Sequence, residues 1–222
     1  MPTKARMIFQ TEETRVLILD TAWKLFMERG FFDTQMKDVA AATGLSRTSL
    51  YRYYADKNDL AMALAERIFR ELGRDTAWQE ERRAADKPLT GLAAISLYLK
   101  RHWLSPRFRD QFVFLAEFDA YFSGARIPDD FRENIRASMH ADGDEALEAL
   151  FREASRDGSL RPDVDPHLAM ATVLNAVRGL QQRLLLRGPA LVEARPEELS
   201  LMPEELVDYL IAGLRNPEGG KR

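Results

Sequence analysis

The eleven residues Gly44-Leu45-Ser46-Arg47-Thr48-Ser49-Leu50-Tyr51-Arg52-Tyr53-Tyr54 carry the densest chemistry in the chain. Arg47 has the planar fork that matches guanine or phosphate bidentately. Thr48 and Ser49 offer hydroxyls to base edges or to phosphate oxygens, and Arg52 adds a second cation. Tyr51 and Tyr53 suit phosphate, or a thymine methyl met by the ring. This is recognition chemistry rather than bond-making chemistry. Nothing elsewhere competes with it. The chain has no cysteine, which removes disulfides, thiolate metal sites and cysteine catalysis. His102, His140 and His167 are scattered singly, and no glycine-rich loop could cradle a phosphate. His140-Ala141-Asp142-Gly143-Asp144-Glu145 looks superficially like a calcium site but lacks the EF-hand spacing, so it reads as a solvated helix face. No enzyme, cofactor or metal centre is expected.

These side chains need elements to hold them. Gly44 suits the end of one helix because glycine enters the left-handed region without steric cost. Ser46 suits the cap of the next. At about 100° per residue, Leu50 and Tyr54 fall on one side and Thr48, Ser49 and Arg52 roughly opposite. So short a helix is unstable alone, so Leu50 and Tyr54 must dock it and leave its polar face outward. Upstream, residues 34–43 read as a partner helix with Thr34 as cap and Met36, Val39 and Ala40 inside. Two short helices joined by Gly-x-Ser form a helix-turn-helix, whose second helix fits the DNA major groove. An ordinary αα-corner shares the same glycine turn, so this pattern alone leaves both readings open.

The wider spacing is more specific. Ile18-Leu19-Asp20-Thr21-Ala22-Trp23-Lys24-Leu25-Phe26, Gly30-Phe31, Val39-Ala40, Gly44-Leu45-Ser46, Leu50-Tyr51-Arg52-Tyr53-Tyr54 and Lys57-x-x-Leu60 stand in series. This series closely resembles the N-terminal domain of the TetR/AcrR family of transcriptional regulators, over about residues 12 to 72. The resemblance implies a DNA-binding domain at 12–72, with the helix-turn-helix at about 35–54. It also implies a helical ligand-binding and dimerisation domain at 73–215. It departs from the commonest family pattern at Tyr54, where phenylalanine is more usual, and at Gln35, where a second threonine is common. The second departure leaves one phosphate contact open.

Thr11 is placed to cap the first helix, with Glu12 and Glu13 in its first turn. Before it, Lys4 and Arg6 lie in a frayed tail. Asp56 and Asp59 can cap a fourth helix, expected to run to about Ala85. Lys57 in its first turn opposes the helix dipole, which a bound phosphate would offset, and the resemblance assigns it that role. Thr34, Gln35 and Lys57 are therefore expected to clamp the DNA backbone. Further helices are expected over about 92–103, 108–122, 130–155, 167–186 and 203–214, which makes an all-α chain of about nine helices.

Aromatic residues crowd Phe112 to Phe122. They are helix core, apolar pocket lining, or both. The pocket candidates are Trp103, Phe114, Phe118, Tyr121, Met139, Asn175 and Arg178. Glu117 and Asp119 either select a cationic ligand or face water. The helices at about 167–186 and 203–214 carry enough apolar surface to finish the core or to pair with a second copy, and the resemblance favours a homodimer. Net charge is −3 with 30% charged residues, so any basic surface must be local. No apolar run approaches a membrane span and no apolar signal core follows Met1, which suggests a cytoplasmic protein.

The function expected is ligand-responsive regulation of transcription. A repressor would leave a pseudo-palindromic operator when a small apolar or amphipathic molecule binds. The rival readings are a helical ligand-binding protein or enzyme that no longer binds DNA, and an activator of the same family without a small-molecule ligand.

Overall fold

The structure is a computed structural model. It describes residues 4–140 and 145–218, without the side chains of 4–11, 125, 138–140 and 145. Met139, His140, the 141–145 stretch, Lys4 and Arg6 thus lie wholly or in their side chains outside the described residues. The described chain is all-α. Eleven α-helices follow one another, and the only extended pairing described is an isolated bridge between Leu160 and Arg215. No described helix is long and apolar enough to cross a membrane. The chain divides into two compact units, Met1–Ile68 with Glu117–Ile135, and Phe69–Ala116 with Arg136–Arg222. The expected division at 72/73 did not include the 117–135 segment in the first unit.

In the first unit lie α1 (Lys4–Arg29), α2 (Met36–Thr43), α3 (Arg47–Tyr51) and most of α4 (Lys57–Gly73). It also holds the C-terminal part of α7 (Arg109–Tyr121) and the start of α8 (Phe131–His140). Ile18, Ala22, Leu25 and Phe26 of α1 are buried, as their i, i+4, i+7, i+8 spacing requires. Phe31, Val39, Leu50, Tyr54, Leu60 and Leu64 complete this core. The helix α1 begins at Lys4, so Thr11 lies inside it rather than capping it. Residues 4–10 contain no glycine or proline to stop the helix from extending backwards.

The second unit holds α5 (Ala77–Ala84), α6 (Gly91–Tyr98), α9 (Glu145–Arg156), α10 (Pro166–Arg187) and α11 (Met202–Leu214). Its tightest packing joins α6 to α9. A Cβ added at Gly91 would stand 2.2 Å from the Ala154 nitrogen, so only glycine allows the two backbones to come this close. Three side chains satisfy the free N–H groups that open α6. Thr90 Oγ1 accepts from Ala93 N–H at 3.3 Å, Asp157 Oδ2 from Gly91 N–H at 2.6 Å and Ser159 Oγ from Leu92 N–H at 3.1 Å. Burial alone would raise the Asp157 carboxyl, but its bonds from Gly91 and Ser159 bring it below the usual carboxylate range. At the far end, Arg161 N–H donates to Leu214 O at 3.0 Å and Asn216 N–H to Ser159 O at 2.9 Å. These two bonds tie the end of α11 to the loop before α10.

Eleven helices rather than about nine reflect two breaks. The helix expected to reach Ala85 stops at Gly73, and α5 restarts at Ala77. Asp75 between them is held by His102 Nδ1 at 3.2 Å and Arg107 Nη1 at 3.1 Å, partners that periodicity cannot reveal. The helix expected over 130–155 appears as α8 and α9. A five-residue π turn, Leu99–Trp103, extends α6. A short 3₁₀ turn, Pro106–Phe108, precedes α7.

Candidate nucleic-acid interface

Gly44 ends α2 at φ 73°, inside the left-handed region. Ser46 then caps α3, its Oγ accepting from Ser49 N–H at 3.1 Å and donating to Ser49 Oγ at 2.9 Å. Leu50 and Tyr54 are buried, which pins α3 by one face. Arg47, Thr48, Tyr51 and Arg52 stand exposed on the other, with Ser49 and Tyr53 half-buried beside them. Arg15 of α1 lies over the rings of Tyr53 and Tyr54, at 5.7 and 5.9 Å. Burial pushes the Tyr54 phenol above its ordinary value, and Arg15 opposes that shift.

Three acids near this face turn to backbone N–H groups. Asp38 accepts from Gln35 N–H at 2.9 Å, closing a capping box at the start of α2. Asp56 accepts from Asn58 and Asp59 N–H at 2.7 and 2.9 Å, and Asp59 accepts from Ala55 N–H at 2.8 Å. Among the described residues, the side chains of Lys37, Arg47 and Arg52 have no hydrogen-bond or ion-pair partner. Carboxylates turned to backbone N–H groups leave three exposed cations uncompensated. A chain with net charge −3 can thereby present a basic face locally.

Two expected backbone clamps stand differently. Thr34 is 0% exposed, and its hydroxyl donates to Gly30 O at 2.9 Å and Leu25 O at 3.3 Å. It neither caps α2, where Gln35 is the cap, nor reaches a phosphate. Its side chain instead fastens the turn between α1 and α2. Gln35 itself is exposed. Lys57 Nζ donates to Phe32 O at 3.1 Å and stands 4.3 Å from the centre of the Phe31 ring. Burial lowers its pKa, against the pull of Asp33 and Glu117. The ammonium holds the Phe31–Phe32 corner and keeps two further donors.

Sequence reasoning missed what grips that corner from the other side. Glu117 is half-buried, and its Oε2 accepts from Phe31 N–H at 2.8 Å. Tyr121 OH donates to Asn58 Oδ1 at 3.0 Å, and its ring meets Phe31 edge-on at 4.8 Å. Phe118 packs on Phe122 at 4.6 Å and on Phe131 at 5.9 Å. Both of these pocket candidates thus serve the first unit's packing.

Of the remaining pocket candidates, Trp103 and Arg178 come together, the guanidinium carbon 5.6 Å from the ring centre. Phe114 is fully buried. Asn175 is exposed and donates to Ala171 O of its own helix at 2.8 Å. The Met139 side chain lies outside the described residues. Beside Trp103 lie Phe112, one of the aromatic set noted in the sequence and stacked on the indole at 5.4 Å, and Gln181, which sequence reasoning passed over and whose amide donates to Trp103 O at 2.6 Å.

Comparison with known proteins matches the same stretch. Residues 18–64 fit the model of the bacterial regulatory proteins of the tetR family. A mycofactocin biosynthesis transcriptional regulator, MftR, of Mycobacterium tuberculosis is 41% identical over 58 residues, 26% of this chain and 29% of that protein. The HTH-type transcriptional regulator AcrR of Shigella flexneri is 39% identical over 51 residues, 23% of this chain and 24% of that protein. These matches span less than a third of the relatives' length. Over the whole fold, a transcriptional regulator FadR from Bacillus subtilis, solved in complex with stearoyl-CoA, is similar. Its TM-score is 0.61 at 15% identity, covering 90% of this chain and 99% of that one. The helix-turn-helix stretch of this chain, residues 18–64, is thus similar to the tetR family of bacterial regulatory proteins.

Proposed function

We propose that this protein is a DNA-binding repressor of transcription, released from its operator by a small apolar or amphipathic molecule. The observation that carries the reading is the face of α3. Arg47 and Arg52 are exposed and unpaired there, on a capped helix docked by Leu50 and Tyr54. Arg47, Thr48 and Ser49, at the start of the helix, read base edges. Tyr51, Tyr53 and Arg52 meet the backbone or adjacent bases, and Gln35 and Lys57 position the domain on phosphates.

A second copy supplies the second half-site. Leu168 and Leu186 on α10, and Leu201 and Tyr209 beside or on α11, are exposed, at 66%, 45%, 61% and 70%. A largely apolar groove of about 440 Å³ runs between Leu180, Leu201, Met202, Leu206 and Tyr209. Exposed apolar surface of this kind favours a protein interface. The pseudo-palindromic operator of this reading carries half-sites about 34–36 Å apart, or a multiple of that. The stearoyl-CoA bound by the FadR relative supports an amphipathic effector for this fold.

A mobility-shift assay with the DNA upstream of the protein's own gene tests the reading. Binding that Arg47→Ala weakens selectively at one operator base is expected. Equal affinity for every duplex, or none at low salt, would overturn it.

A further inference from the structure

A groove of about 670 Å³ runs between α6 and α11, within the second unit. Its size falls in the range of small-molecule sites, roughly 300–1,000 Å³. Leu92 and Ile211, both buried, and the methyl of Ala93 give it an apolar lining. Its two ends differ in charge. At one end Lys100 Nζ meets the two carboxylate oxygens of Asp208 at 2.7 and 2.8 Å, so each charge is answered by the other. At the other end stands Arg215, the residue that follows α11. Its backbone is fixed by the bridge to Leu160. Its exposed guanidinium has no hydrogen-bond or ion-pair partner among the described residues. At about 1.5 Å per residue, the helix advances roughly 10 Å from Asp208 to Arg215.

The other groups near Arg215 are committed elsewhere. Arg161 Nε donates to Asp163 Oδ1 at 3.0 Å. Asp157 accepts from Gly91 N–H and from Ser159 N–H, at 2.6 and 2.9 Å. Thr90, Asp157 and Ser159 already satisfy the N–H groups that open α6, so that helix start is no anion site of its own. What remains is one cation at the end of an apolar trough. A guanidinium fork pairs a carboxylate through two parallel N–H···O bonds. One cation balances one negative charge, whereas a dianionic phosphate would keep a charge unanswered. A cationic ligand would meet the like charge of Arg215 and find Asp208 taken by Lys100. We infer that this groove binds a small monocarboxylate. The carboxylate sits on Arg215, and an apolar body lies along Leu92, Ala93 and Ile211 towards the Lys100–Asp208 pair. The inference goes beyond the regulator reading, because binding here needs no operator.

Cinnamate is the probe, titrated into the full chain in a calorimeter. It is expected to bind in the millimolar range or tighter. Cinnamyl alcohol and cinnamylammonium keep the apolar body and change the head, and each is expected to bind roughly fivefold or more weakly, as a charge-assisted pair requires. That comparison needs no variant. Arg215→Gln is expected to keep the melting temperature, since the side chain is exposed, and to remove the advantage of cinnamate over the alcohol. Ala93→Phe, at an exposed position that lines the groove, is expected to fill it and abolish binding. No binding of cinnamate in the millimolar range overturns the inference. So does an alcohol or an ammonium that binds as tightly, or an Arg215→Gln protein whose preference is unchanged. A folded Ala93→Phe protein that binds cinnamate as the parent does also overturns it, because the ligand would then sit elsewhere.

Discussion

Two cations of the first unit do different work. Arg47 is exposed and unpaired, so its replacement costs the fold little. Arg47→Ala is expected to keep the melting temperature and to lose about 1–3 kcal/mol of discrimination at one base pair, roughly 5–150-fold in relative affinity. Lys57 is tied to the Phe32 carbonyl and the Phe31 ring. Lys57→Met is expected to lower stability by about 1 kcal/mol, because both the bond and the cation–π contact vanish. Chemical denaturation separates the two, and an unchanged midpoint for Lys57→Met would reject the corner role. Sequence reasoning gave Lys57 and Thr34 one role, as phosphate clamps. It could not see the Phe32 and Gly30 carbonyls that these side chains meet, because a turn's carbonyl directions are set by packing rather than by local pattern.

At the scale of elements, the local signals were legible. Gly44 for the turn, Ser46 for the cap and Leu50 with Tyr54 for the docked face all depend on neighbours within a few residues. Ser46→Ala is expected to destabilise by about 0.5–2 kcal/mol, as lost caps do, and to weaken DNA binding in proportion to the loosening of α3. Circular dichroism melting against operator affinity checks both. The π turn and the break before α5 were not legible, since each answers to residues far along the chain. His102 is the case in point. Burial lowers its pKa below the ordinary 6.5, and its contact with Asp75 only partly opposes that. A carboxylate can only accept, so the neutral ring donates Nδ1–H to Asp75. In the unfolded chain the same ring titrates near ~6.5. Between that value and the lower folded one, the unfolded state binds more protons, so stability falls as pH drops through this window. Melting curves from pH 7.5 to 5.5 are expected to show that loss, and His102→Gln is expected to flatten it.

At the scale of the whole molecule, an acidic chain is expected to bind DNA with a strongly salt-dependent affinity. Each phosphate contact adds about −0.9 to the slope of log affinity against log salt. Analytical ultracentrifugation is expected to give a dimer, and charge placed at Leu168 and Tyr209 together is expected to give a monomer that still folds. All-α architecture was legible from helical periodicity alone. The first unit's claim on residues 117–135 was not. The aromatic residues of α7 announce burial but not the surface they bury against, so Phe118 and Tyr121 read as pocket lining when they pack with Phe131 and Phe31.

Two glycines carry opposite constraints, and a saturation library would tell them apart. At Gly44 nothing lies within 4 Å of an added Cβ, and only the backbone angle resists replacement. Asparagine should therefore outlive alanine and valine there, whatever their sizes. At Gly91 the Ala154 backbone fills the space, so survival should fall steadily with side-chain bulk, alanine already losing about 1–3 kcal/mol or more. One position filters by torsion and the other by volume, so the rank order of tolerated residues would report which force governs each joint.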